Sequence, residues 1–276
     1  MVLNTTANKA AYPDSIITLA ETAPDALVLN SLVATKGPVI SGDAPSARLA
    51  FVSEDVAANI VKEGQQIAEG DPALSELIVR TSKIAVLSNM SNESYESAVA
   101  SSLVTESARR AVTKKADAVL LANAVTEGQP TGLANLEGIV TIAGGKYADL
   151  NPILEAIGSV AANGATPTAL VMNYATWTQL LKLTAKDGRS LISPDVANAA
   201  QPVLFGVPVV LNAAAPADSV LVLDAAEIVA SYSDVTTAVS TDVLFAYDSV
   251  QIRLTMRLGF GVIRPNRIAK VTFTTA

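Results

Sequence analysis

Val250-Gln251-Ile252-Arg253-Leu254-Thr255-Met256-Arg257-Leu258-Gly259-Phe260-Gly261-Val262 puts an apolar side chain at every second position for thirteen residues. Successive side chains of a strand point to opposite faces, so this run reads as one long, half-buried β-strand. Before it, Val235 to Tyr247 followed by Asp248-Ser249 predicts an antiparallel partner joined through a short turn. After it, Arg264-Pro265-Asn266 turns the chain into a last strand, Ile268 to Phe273.

Upstream of this β region the chain changes type. Ser91 or Asn92 can cap a helix whose first turn carries Glu93 and Glu96. Ala100, Val104, Ala108, Ala111, Ala118 and Ala122 mark one small-residue stripe on it, and Gly128, Pro130 and Gly132 end it. Between this helix and the C-terminal strands, helical and strand patterns alternate. Asn151-Pro152 opens a helix and Asn163-Gly164 closes it. Ala169 to Met172 is a strand, and Asn173 caps a helix through Trp177, Leu180 and Leu181 that ends before the turn Asp187-Gly188. Short strands follow at Val207 to Leu211 and Val220 to Leu223.

The first fifty residues show no period. Pro13, Pro24, Pro38 and Pro45 punctuate them, a pattern of an extended arm or of a disordered tail; Ile16-Ile17, Leu27-Val28-Leu29 and Leu32-Val33 are more apolar than solvated tails usually are, which favours an arm docked on another surface. From Arg48 to Ser88, the apolar segments Asn59-Ile60-Val61 and Leu77-Ile78-Val79 flank a polar, Gly-marked stretch from Lys62 to Pro72. That pattern is a long hairpin or loop, either projecting or lying on its own domain.

Composition limits the chemistry. The 276 residues contain neither His nor Cys, which removes Ser-His-Asp and Cys-His nucleophiles, imidazole or thiolate zinc sites, and disulfides. Gly144-Gly145-Lys146 is no phosphate loop, since Val140 stands where the first glycine belongs and Tyr147 where a hydroxyl belongs. No catalytic, cofactor-binding or metal-ligating residue is assigned, and no enzyme is expected. A glycan-binding or carboxylate-dependent glycan-processing domain stays open as a rival, because spacing does not constrain carboxylate pairs.

The net charge of −7 and pI near 4.7 exclude a basic, groove-reading DNA binder. Despite a mean hydropathy of +0.38, Asp117, Asn123, Asp224 and Glu227 interrupt every apolar run before the ~20 residues of a membrane span. No membrane partner and no secretory signal are expected. Half the chain is apolar and only 16% charged, against about 25% in ordinary soluble proteins, so part of its surface should be covered by partners. The densest cationic cluster, Arg109, Arg110, Lys114 and Lys115, is either a solvated helix face or a seat for carboxylates of another subunit.

The order of parts resembles the major capsid protein of tailed bacteriophages of the Hong Kong 97 type. The likeness covers about residues 50 to 276 and rests on Ile60-Val61-Lys62-Glu63-Gly64, the long helix, Glu127 to Leu133, Leu170-Val171-Met172-Asn173 with Trp177, Leu204 to Val210, and Arg257-Leu258-Gly259 running to Arg264-Pro265.

The resemblance implies an α+β fold in four parts. These are an N-terminal arm (1–50), an extended hairpin loop (51–88), a peripheral domain of spine helix and long strands (89–132 and 231–266), and an axial domain (133–230 and 267–276). It implies pentamers and hexamers of one chain closing into an icosahedral virion shell around double-stranded DNA, assembled in the host cytoplasm. Portal and cement proteins are expected as further partners, and a separate scaffolding protein as well, since only about 50 residues precede the hairpin. An encapsulin-type compartment shares the same fold as an alternative.

Lys62, Glu63, Glu69, Arg80, Arg109, Arg110 and Lys114 are the inter-subunit contact candidates, with Glu63 expected to meet Arg109, Arg110 or Lys114 of a neighbour. Some relatives weld subunits through a Lys-Asn isopeptide bond assisted by a glutamate. Counting back from Arg264-Pro265 puts Asp248 and Thr255 at those positions, so no such weld is expected here.

Overall fold

The computed structural model describes residues 25–38, 40, 46–54, 56, 58–62, 64, 66, 69–126, 129–184, 188, 190–192 and 202–274. The expectations for Ile16-Ile17, for Glu63 and for most of the turn around Asp187 lie outside these residues.

The fold is α+β, built on two six-stranded sheets. The first contains β1 (Thr35–Lys36), β2 (Ser46–Glu54), β3 (Ala73–Ser91), β9 (Ile228–Tyr232), β10 (Thr236–Leu244) and β11 (Ser249–Val262). β11 is the strand read from its alternation, and it is the centre of this sheet. Thr81 to Ser91 of β3 pair along one side, while β10 and then β9 share the other. All seven alternating apolar residues, Val250 through Val262, are buried.

They are covered by α2 (Ala98–Ala122). A single helix from Ser91 is expected; the structure has two, because serine supplies a cap twice. Ser91 Oγ accepts from Ser94 N and starts α1 (Asn92–Glu96), and the extended Ser97 then starts α2. The buried stripe of α2 also differs. Ala100 and Ala108 lie on it as expected, but it continues through Val112, Ala116 and Leu120, leaving Ala111 and Ala122 exposed. The C-terminal carbonyls of α2 are satisfied by Asn135, whose Nδ2 donates to Ala122 O and Asn123 O, and by Gly132 N.

The second sheet has the order β4-β12-β8-β5-β7-β6, with β4 at Val140–Lys146, β5 at Ala169–Met172, β6 at Val203–Leu204, β7 at Val207–Leu211, β8 at Ser219–Leu223 and β12 at Ala269–Thr274. α3 (Asn151–Ala162) and α4 (Tyr174–Leu181) cover one face, and Asn173 Oδ1 caps α4 by accepting from Thr176 N at 2.6 Å. β5 and β8 are buried on both sides, which is why they read as unbroken apolar runs. Leu170 and Met172 enter the core under α3 and α4, whereas Ala169 and Val171 join the core of the first sheet and α2. The two sheets are thus joined through a shared apolar interior.

The described part of the arm belongs to this interior. Leu27, Val28, Val33 and Ala34 are buried on the chain's own core, and Thr35–Lys36 add a short parallel strand beside β9. Residues 25–38 are therefore a strap on their own fold. The hairpin also shifts: its first strand is Ser46–Glu54, not Asn59–Val61, and Ile60 is fully exposed.

Candidate assembly surface

The hairpin pairs Ser46 with Arg80 at its base and Glu54 with Ala73 near its tip. Four of its apolar residues are bare: Leu74 is 74% exposed, Ile78 and Val56 about half, and Ile60 entirely, whereas Val79 is buried. Exposed large apolar side chains are a cost to a lone chain, and where they gather on one element they suit a surface that another molecule covers. Lys62 and Glu69 are exposed in the connection between β2 and β3, and Arg80 is exposed on β3. Glu63 lies outside the described residues. Arg48 and Glu76 face each other at 3.3 Å across the strands.

A second bare area surrounds the β10–β11 turn, where Phe245 is 85% and Tyr247 73% exposed. Next to it a groove of about 470 Å³ is lined by Leu87, Val239, Val243, Gln251 and Arg253. The strand alternation made β11 legible but did not single out Arg253 as a contact candidate. Asp248 occupies the left-handed region at φ 44° in this turn, and its backbone oxygen and Oδ1 both accept from Asn92. Thr255 shares a hydroxyl hydrogen bond of 2.7 Å with Thr236 across to β10.

Arg109, Arg110 and Lys114 come together on α2. Arg109 and Lys114 are exposed and Arg110 is half-buried. Glu106 and Arg109 form an ion pair at 3.6 Å, an i,i+3 contact. The structure thus places the candidates in two groups, one on the hairpin and one on the helix.

Polar groups that sequence reasoning passed over hold the scaffold. Asp117 is buried on α2; Oδ1 accepts from Leu27 N and Oδ2 from Asn212 Nδ2, each at 2.7 Å, tying strap, helix and second sheet together. Burial pushes its carboxyl above the usual 3.8, with the two hydrogen bonds opposing. Burial, then the acceptor Asp218 at 2.9 Å, pushes the Tyr147 hydroxyl up to about 12, so that it keeps its proton and acts as an anchor, stacked on Phe273. Glu227 is buried between Arg264 and Arg267. The only early signal for these groups was a charge inside an apolar run. Among the described residues no group of three acidic side chains could hold a metal ion, and no helix is long and apolar enough to cross a membrane.

The model of the phage capsid family matches residues 26–273. No curated protein matches the chain. Among solved structures, a chain of Gordonia phage Cozz is 18% identical, with a TM-score of 0.73 over 96% of this chain and 92% of that one. A chain of Mycobacterium phage Bobi is 15% identical, with a TM-score of 0.71 over the whole of both. A chain from the capsid of an empty GTA particle, computed with C5 symmetry, is 16% identical, with a TM-score of 0.73 over 99% of this chain and all of that one.

Proposed function

The chain belongs to the phage capsid family, and from that membership we propose that it is a major capsid protein of the Hong Kong 97 type, closing through pentamers and hexamers into an icosahedral shell around double-stranded DNA. The observation that carries the reading is the hairpin, on which Ile60, Leu74 and Ile78 stand bare. A subunit of a ring uses different faces toward its two neighbours, and head-to-tail contacts close when the rotation permits. The hairpin supplies one such face, and α2 with the outer face of the first sheet supplies the other.

In this reading the hairpin (51–88) is the extended loop and α2 with the long strands the peripheral domain. The second sheet with α3 and α4 is the axial domain. Glu63 seats against Arg109, Arg110 or Lys114 of the neighbour, with Lys62, Glu69 and Arg80 at the same contact. Each pair of copies buries more than the ~800 Å² per partner of a standard interface. Asp248 has no amide to lose and Thr255 no carboxylate, so the shell is held without isopeptide bonds. The acidic chain suits a wall that encloses DNA without gripping it. Portal and cement proteins complete the virion, which forms in the host cytoplasm.

Electron microscopy of the purified protein tests this: closed particles are expected, and boiling them in denaturant should release single chains. A stable monomer under all conditions, or particles loaded with protein cargo in place of DNA, would reject the phage-shell reading. The second result would favour an encapsulin-type compartment.

A further inference from the structure

The hairpin is braced along its base by the chain that leaves β11. A Cβ on Gly259 would sit 2.5 Å from the Arg80 carbonyl oxygen, and one on Gly261 would sit 3.0 Å from the Leu77 side chain, so the first glycine lets the backbones close on each other and the second makes room for Leu77. Farther along, Arg264 Nη2 donates to Val52 O at 2.8 Å. Val52 lies next to the register break of the β2–β3 ladder, where a bulge disturbs regular pairing and bends the strand. Arg264 is therefore the outermost of three contacts before the connection from residue 55 to 72.

Arg264 is itself held. Its Nη1 donates to Glu227 Oε1 at 3.2 Å, and the same oxygen accepts from Arg267. Arg267 Nε donates in turn to Asn163 O, at the C-terminal end of α3. A line of charge-assisted hydrogen bonds thus runs from the hairpin, through the junction of the two sheets, to α3. The Glu227 side chain is 5% exposed, and its Oε2 has no hydrogen-bond partner among the described residues. Apolar side chains would fill this place at lower desolvation cost, whereas a buried carboxylate with two fixed guanidiniums defines direction.

We propose that Arg264 is the positioning residue of the hairpin: held by Glu227, it fixes the direction of the paired strands Ser46–Glu54 and Ala73–Arg80, and so the angle at which one copy reaches the next. The second clause rests on the shell reading above; the first stands without it.

Amide exchange followed by mass spectrometry on the dilute, unassembled full chain tests the brace. Arg264→Ala should speed exchange in Ser46–Glu54 and Ala73–Arg80 by about tenfold, the effect of losing a charge-assisted bond. Arg267→Ala strips Glu227 of its other partner but keeps the bond to Val52, so it should lower the melting temperature comparably while changing hairpin exchange less than about threefold. Arg264→Lys, with one ammonium for two acceptors, should fall between them. Equal hairpin exchange in the two alanine variants would overturn the brace. Under the microscope, Arg264→Ala should give particles of mixed size or open sheets, and uniform particles like the wild type would overturn the link to shell geometry. A wild-type chain that forms no particles rejects the shell reading and leaves the exchange result standing.

Discussion

Asp117 shows how a single side chain can carry a long-range connection. Its two oxygens take donors 90 and 95 residues away in sequence. Asp117→Ala leaves a buried N–H and a buried amide unpaired and should cost about 2–3 kcal/mol, read as a lower melting temperature. Asp117→Asn keeps one acceptor but turns an NH2 group toward the NH2 of Asn212, and should cost about 1 kcal/mol. The folded-state pKa of Asp117 is raised, so its proton-linked stability is complete below pH 3.8 and is lost as pH rises through the folded value. The advantage of the wild type over Asp117→Asn should therefore be largest near pH 3.8 and shrink above it; an advantage that grows with pH in that window would contradict the assignment.

The elements differ in how openly their sequences declare them. β11 was legible because its inner face meets one continuous helix, so each alternate residue has the same fate. In α2 the stripe was legible only as far as Ala108. Beyond it the strap at Leu27–Leu29 and the turn at Leu133–Asn135 cover further sides, and Ala116, Asp117, Val119, Leu120 and Leu121 are all buried. Leu120→Ala, at a site closed on several sides, should cost about 2–5 kcal/mol in chemical denaturation. Leu103→Ala, on the exposed face, should cost less than about 0.5 kcal/mol. The hairpin resisted reading for the opposite reason. With no core beneath it, burial imposes no pattern, and Ile60-Val61 resembled a strand although the paired strand lies at Ser46–Glu54.

At the scale of the whole molecule, stability and assembly are separable. Glu63→Lys should impair the formation of closed particles while leaving the melting temperature of the monomer within about 1 °C, since a charge used between copies contributes little to the folding of one. Adding Lys114→Glu should restore particles if the two charges meet between copies. Normal particles from the single variant, counted by electron microscopy, would reject that pairing. What the amino-acid order determined alone was local: the alternation of β11, the strand at Ala169–Met172, the helix start at Asn151-Pro152, the cap at Asn173, and the absence of His and Cys. Each of these is written in neighbours a few positions apart, through strand or helix period or through a side chain bonding its own backbone. The tertiary structure decided the rest: that residues 25–38 are a strap, that β11 stands at the centre of its sheet, and that Glu227 and Asp117 are junctions. Burying a charge is favourable only when partners from distant segments arrive together, and no local pattern specifies which segments those are.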